Sequence, residues 1–231
     1  MQRPQFSNDS IYHIYNRGVE KRDTFLAAAD YLRFILGLYE FNSDRPALNF
    51  GYELNRQSIE VRLQYVQKDR LVDILVFCLM PNHYHLMIKQ LQKGGITEFM
   101  RKLGTGYTNY FNLKYDRVGP LFQGKFKALS LEREAHFIHL PHYIHCNPLE
   151  LSMPAWREKI MTPPQVQKAL KLLAGYRWSS YLDYIGKKNL PTVAERGFLT
   201  ECIGKPPEFL RSTREWLKDM SFEFIERLTH E

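Results

Sequence analysis

The chain has 231 residues, 44% of them hydrophobic and 14% aromatic, which suits one folded core with an extension and speaks against a disordered or low-complexity protein. A net charge of +7 points toward a polyanionic partner. The first six residues form no apolar signal core and the longest apolar run, Ile74–Met80, is too short to span a bilayer, so no membrane association and a cytoplasmic location are expected. Cys78, Cys146 and Cys202 are odd in number and lack Cys-x-x-Cys spacing, which disfavours a disulfide framework or thiolate zinc site and predicts three reduced core thiols.

In chain order, Ile11 to Tyr15 reads as a strand that ends in the turn Asn16-Arg17-Gly18. Asp23-Thr24 can cap a helix running to about Phe41, with Tyr31, Leu32, Ile35 and Leu36 on its apolar face. Asn42 to about Arg56 is polar and irregular, and Ser58 to Tyr65 alternates as a strand or an inserted hairpin. Val72–Met80 predicts a buried strand, turned by Pro81-Asn82 into a second strand, His83–Lys89. A helix follows from about Thr97 to Lys114, with Phe99, Leu103, Tyr107 and Phe111 as core positions, then a strand to about Glu132 and a helix from Glu134 to Asn147. Pro141 is expected to kink or restart that last helix, because an interior proline costs about 3 kcal/mol. Beyond it, Pro163-Pro164 starts a helix that Gly175 ends, Ser179-Ser180 caps another beside a packed Trp178, and Pro206-Pro207 opens a third. The order implies an α+β fold, a ferredoxin-like antiparallel sheet with packed helices over residues 1–150 and a helical extension over 151–231.

Alternate residues of a strand share a face at about 6–7 Å, so His83 and His85 can close on one divalent metal ion. Tyr143 and Asn147 stand four apart and share a helix face. A metal-binding pair and a tyrosine hydroxyl are the parts needed for covalent attack on a phosphodiester. Basic charge is concentrated between Lys89 and Lys127, where eight basic residues, Arg101 and Lys102 among them, face only Glu98 and Asp116 and carry +6 of the +7. Arg17, Lys21 and Arg22 follow the first strand, and Gln123, Lys125 and Lys127 flank a glycine turn. Both groups are candidates for holding phosphates or reading a hairpin base.

Five blocks occur in order: Tyr12-His13-Ile14-Tyr15-Asn16-Arg17-Gly18, Leu79-Met80-Pro81-Asn82-His83-Tyr84-His85-Leu86, Gly119-Pro120-Leu121-Phe122-Gln123-Gly124-Lys125-Phe126, Tyr143-Ile144-His145-Cys146-Asn147-Pro148 and Trp178-Ser179-Ser180-Tyr181. Together they resemble the single-tyrosine transposases of the HUH nuclease superfamily, in particular the REP-associated tyrosine transposases. The resemblance implies Tyr143 as nucleophile, His83 and His85 as metal ligands, Asn147 as a third ligand through its amide oxygen, and Mg²⁺ or Mn²⁺ as cofactor. It further implies cleavage and rejoining of single-stranded DNA beside hairpins through a 5′-phosphotyrosine link, by a monomer or a homodimer. A transposase mobilising its own insertion sequence and a non-catalytic DNA- or RNA-binding module are the rival readings. The tail past Trp178 favours a REP-type enzyme over the first, and the joint presence of both histidines and the tyrosine speaks against the second. Between Pro148 and Trp178 the chain is longer than the family pattern, with an apparent insertion around Trp156.

Overall fold

The computed structural model describes residues 3–45, 69–158 and 160–219. The expected strand or hairpin at Ser58–Tyr65 lies outside them. Four strands form one antiparallel sheet in the order β2-β3-β1-β4: β1 is Ile11–Arg17, β2 Val72–Met80, β3 His83–Gln90 and β4 Lys127–Ser130. With α1 (Ala28–Glu40) between β1 and β2, and α2 (Gly95–Lys114) between β3 and β4, this is the ferredoxin-like arrangement. Helix α1 starts later than the Asp23-Thr24 cap predicts. Asp30 caps it instead, accepting the amides of Leu26 and Ala27 at 2.9 Å each.

The sheet separates two apolar clusters. Tyr12, Ile14, Phe77, Tyr84, Leu86 and Ile88 pack against α1 and α2. Cys78, Met80 and Met87 turn to the other face, which holds α3 (Glu134–Cys146), α4 (Pro163–Gly175), α5 (Tyr181–Tyr184), α6 (Gly197–Ile203) and α7 (Pro206–Asp219). The residues after 150 thus share a core with the sheet. A bulge between Ile74 and Val76 shifts the alternation of β2, so Leu75 and Val76 both join the α3 cluster while Phe77 and Leu79 stay with α1 and α2.

The Trp178-Ser179-Ser180-Tyr181 block differs from expectation. Ser180 makes no side-chain cap; its amide donates to the Phe77 carbonyl at 3.0 Å and its hydroxyl accepts the Phe77 amide at 3.0 Å. Leu79 N–H donates to the Trp178 carbonyl at 2.9 Å, so the block covers the outer edge of β2, which would otherwise offer unpaired backbone groups. Trp178 packs its indole as predicted, stacked on Tyr31 at 4.6 Å. Helix α3 runs through Pro141 without restarting, placing the proline in its interior rather than its first turn. Of the three cysteines, Cys78 and Cys146 are buried but Cys202 is exposed, on the short helix α6 that the sequence did not reveal.

Candidate active site

β3 sends His83 and His85 to the α3 face, and the register sets His85 between Tyr15 of β1 and Cys78 of β2. Helix α3 crosses that face and lays Tyr143 on the histidines, its ring edge-on to His85 with centroids 5.8 Å apart and to His13 at 6.3 Å. The sequence-predicted pair and the tyrosine therefore meet, and Tyr143 is fully buried. Asn147 opens a 3-10 turn, Asn147–Leu151, directly after α3. Its amide nitrogen donates to the Tyr143 carbonyl at 2.9 Å and the Ile144 carbonyl at 3.4 Å, closing the helix end.

Two residues inside the quoted blocks orient the histidines, although sequence reasoning gave them no role. Nδ1 of His83 lies 2.6 Å from Oδ1 of Asn82, whose amide nitrogen donates to the Lys21 carbonyl at 3.2 Å. An amide oxygen only accepts, so Nδ1 of His83 carries the proton and Nε2 carries the lone pair. That Nε2 is buried and makes no hydrogen bond of ordinary geometry. Nε2 of His13 meets Nδ1 of His85 at 2.9 Å, as a partner orients a ligating imidazole through its other nitrogen.

Electrostatics keeps both imidazoles neutral. Burial pushes His83 down to about 3, with repulsion from Arg17 and Arg157 adding to the shift and the nearby Asn147 amide opposing it. His85 is driven well below the ordinary histidine range, first by burial and then by His83, His13, Arg157 and Arg17. Neutral imidazole is the form that ligates metal. Among the described residues no group of three His, Cys, Asp or Glu side chains could hold a metal ion. A divalent ion here would need an amide to complete its protein ligands. The donor set fits: a buried lone pair on His83, a second neutral imidazole, and the Asn147 amide beside His83.

Arg157 belongs to this site and was missed, because it sits in an irregular turn after Asn147–Leu151 where no periodicity marks it. Its Nη2 donates to Oδ1 of Asn147 at 2.8 Å and to Glu150 at 3.3 Å, and its guanidinium lies 5.3 Å over the Tyr143 ring. Neighbouring Trp156 is buried in the α3 cluster, so this turn adds to the core as well as to the site.

The predicted DNA-contact residues fall into two groups. The Arg17–Lys21 turn and the Phe122–Lys125 turn, separate in sequence, lie side by side: Val19 N–H donates to the Leu121 carbonyl at 2.9 Å and Gln123 N–H to the Arg17 carbonyl at 2.8 Å. Gly18 permits the tight turn from Arg17 to Arg22, since a Cβ there would stand 2.2 Å from the Arg22 carbonyl oxygen. Arg22 is paired with Glu20 at 3.2 Å, and Lys127 lies 5.5 Å from the Tyr15 ring. On the other face, Arg101 and Lys125 line a 460 Å³ groove with Thr105, Thr108 and Asn109. Lys102 is held internally, by Glu98 at 2.9 Å and the Ser43 carbonyl at 2.6 Å.

Residues 50–147 match the family model described as "Transposase IS200 like", a stretch that includes His83, His85, Tyr143 and Asn147 but ends before Arg157. No curated protein matches the chain. A solved structure described as "Structure of the REP associates tyrosine transposase bound to a REP hairpin" superposes with a TM-score of 0.52 at 13% identity, covering 85% of this chain and 91% of that one. The family match thus covers the blocks that hold His83, His85, Tyr143 and Asn147, and the solved structure shares the fold of this chain. Among the described residues no helix is long and apolar enough to cross a membrane.

Proposed function

We propose that this protein is an HUH-type single-stranded DNA endonuclease and strand transferase that acts beside hairpins, with Tyr143 as nucleophile and His83, His85 and Asn147 as ligands of Mg²⁺ or Mn²⁺. The observation that carries this reading is the packing of the Tyr143 ring against His85, which brings a phenol and two neutral imidazoles together across the interface of α3 and the sheet. A divalent ion bound there would polarise a non-bridging phosphate oxygen and favour the ionised phenol. The Tyr143 oxygen attacks phosphorus, the P–O3′ bond breaks, and the leaving 3′ oxygen takes up a proton. The enzyme keeps the 5′ phosphate as a phosphotyrosine diester. Because one phosphodiester replaces another, a 3′-hydroxyl can reverse the step without ATP.

His13 and Asn82 hold the two imidazoles in their working tautomers. The paired turns bearing Arg17, Lys21, Arg22 and Gln123 supply phosphate contacts at the rim, with Lys127 beside Tyr15. The groove bearing Arg101 and Lys125 extends the DNA path onto the α2 face. Labelled hairpin DNA with Mn²⁺ provides the test: wild type should yield a protein–DNA adduct that survives denaturing electrophoresis, and Tyr143→Phe none. A mutant that cuts as well as wild type would assign the attack to water or another tyrosine.

A further inference from the structure

Asn147 has two ends, and both are engaged. Its amide nitrogen is spent on the carbonyls of α3, which fixes the orientation of the group and turns Oδ1 toward Arg157. The oxygen that a metal would use is therefore occupied by a guanidinium. That guanidinium also stands over Tyr143, placing one positive charge against two elements of the catalytic set. The same Nη2 reaches Glu150 at 3.3 Å, a carboxylate near the surface, so Arg157 has a second partner within reach once it leaves Asn147.

From this geometry we infer that Arg157 is a positioning residue that competes with the divalent metal for Oδ1 of Asn147, and that metal loading shifts Arg157 onto Glu150 and uncovers Tyr143. The inference rests on the reading of His83, His85 and Asn147 as the metal ligands. One amide oxygen facing both a guanidinium and a divalent cation brings two positive groups close together in a buried site, so occupancy by one disfavours the other. Nε2 of His83 is buried with no hydrogen bond of ordinary geometry to give up, so the amide is the ligand that must be surrendered. Arg157 lies ten residues past Asn147 and beyond the family-matched region.

The test is Mn²⁺ affinity of the full chain without DNA, read from the electron paramagnetic resonance of free Mn²⁺. Arg157→Ala should bind Mn²⁺ roughly ten-fold tighter than wild type, the scale set by losing one charged hydrogen bond. In an Asn147→Ala background the same change should have almost no effect. Equal or weaker binding by Arg157→Ala overturns the gate. So does equal tightening in both backgrounds, which would reduce Arg157 to a general repulsive charge. If Arg157→Ala melts early, Arg157→Gln keeps the side-chain stem over Tyr143 without the charge and should tighten binding in the same direction. A separate variant, His83→Ala, tests the underlying assignment: if it binds Mn²⁺ like wild type, the ligand reading itself fails, whatever Arg157 does.

Discussion

Two buried polar clusters, one on each face of the sheet, differ in how completely their atoms are used. On the α1–α2 face the carboxylate of Asp30 accepts from Lys114 at 2.6 Å, Tyr115 at 2.8 Å, Tyr110 at 2.9 Å and the two amides it caps. On the α3 face His83 has one satisfied nitrogen and one buried lone pair without a well-formed hydrogen bond, and Nε of Arg157 is likewise buried without a partner. A saturated buried cluster holds a fold together, whereas buried polar atoms left over are a standing cost that a ligand can remove. The first cluster staples α1 to the end of α2. The second leaves buried polar atoms of His83 and Arg157 unused.

The largest effect should come from breaking the saturated cluster. Asp30→Ala strands an ammonium, two phenols and two backbone amides, and should cost about 3 kcal/mol or more in urea unfolding. His83→Gln removes an imidazole whose Nε2 is unsatisfied and should change stability by less than about 1 kcal/mol while abolishing the DNA adduct. If the two substitutions destabilised the chain equally, the α3 cluster would be structural too and the contrast would collapse.

Acid should separate the faces next. His83 and His142 are pushed down to about 3, His142 by burial and then by His139, while His85 and His145 lie well below the ordinary range, chiefly through burial. Their folded values are depressed below the unfolded value of about 6.5, so the unfolded chain binds more protons. Their contribution is complete above pH 6.5 and is lost as pH falls below it, each histidine adding up to about 1.4 kcal/mol per pH unit. For Asp30, burial raises the carboxyl, but its hydrogen bonds from Lys114, Tyr115, Ala27 and Tyr110 outweigh this and hold it below 3.8. Its contribution is complete above that value and is lost only in stronger acid. Urea unfolding should therefore be level from pH 8 to 7 and weaken steeply between 6.5 and 4. His142→Gln should flatten the slope by about one proton, and an unchanged slope would remove His142 from the account.

These contrasts were only partly legible in the residues. β2 and β3 were readable because a continuous apolar run and a two-residue alternation are local signals, and α4 because Pro163 and Gly175 mark both its ends. The meeting of His85 with Tyr143 came from the family resemblance, since nothing local joins residues on separate elements. The Leu75 bulge, the pairing of residues 178–180 with β2 and the approach of Arg157 to Asn147 left no periodic trace. Each depends on where a distant backbone runs. Within the +6 segment Lys89 pairs with Asp9, Lys102 with Glu98 and Lys114 with Asp30, and Arg117 bonds to Asn112, whereas Arg101 and Lys125 line the groove, a division that the linear sequence does not display.

That division sets the smallest and most selective prediction. Arg101 and Lys102 are neighbours on α2 with the same formal charge, but Arg101 is exposed on the groove it shares with Lys125, whereas Lys102 is bound to Glu98 and the Ser43 carbonyl. A cation that releases a counterion on touching a phosphate contributes about 0.7 to the slope of log K against log salt for single-stranded DNA. Arg101→Ala should lower the slope by about that amount and leave the melting temperature nearly unchanged. Lys102→Ala should do the reverse, loosening the contact between α2 and residues 43–45 with no change in slope. Binding titrations at several salt concentrations read both. If Lys102→Ala reduced the slope as much as Arg101→Ala, DNA would be sensing the summed field of the segment rather than a groove on the α2 face, and the second half of the proposed DNA path would have to be given up.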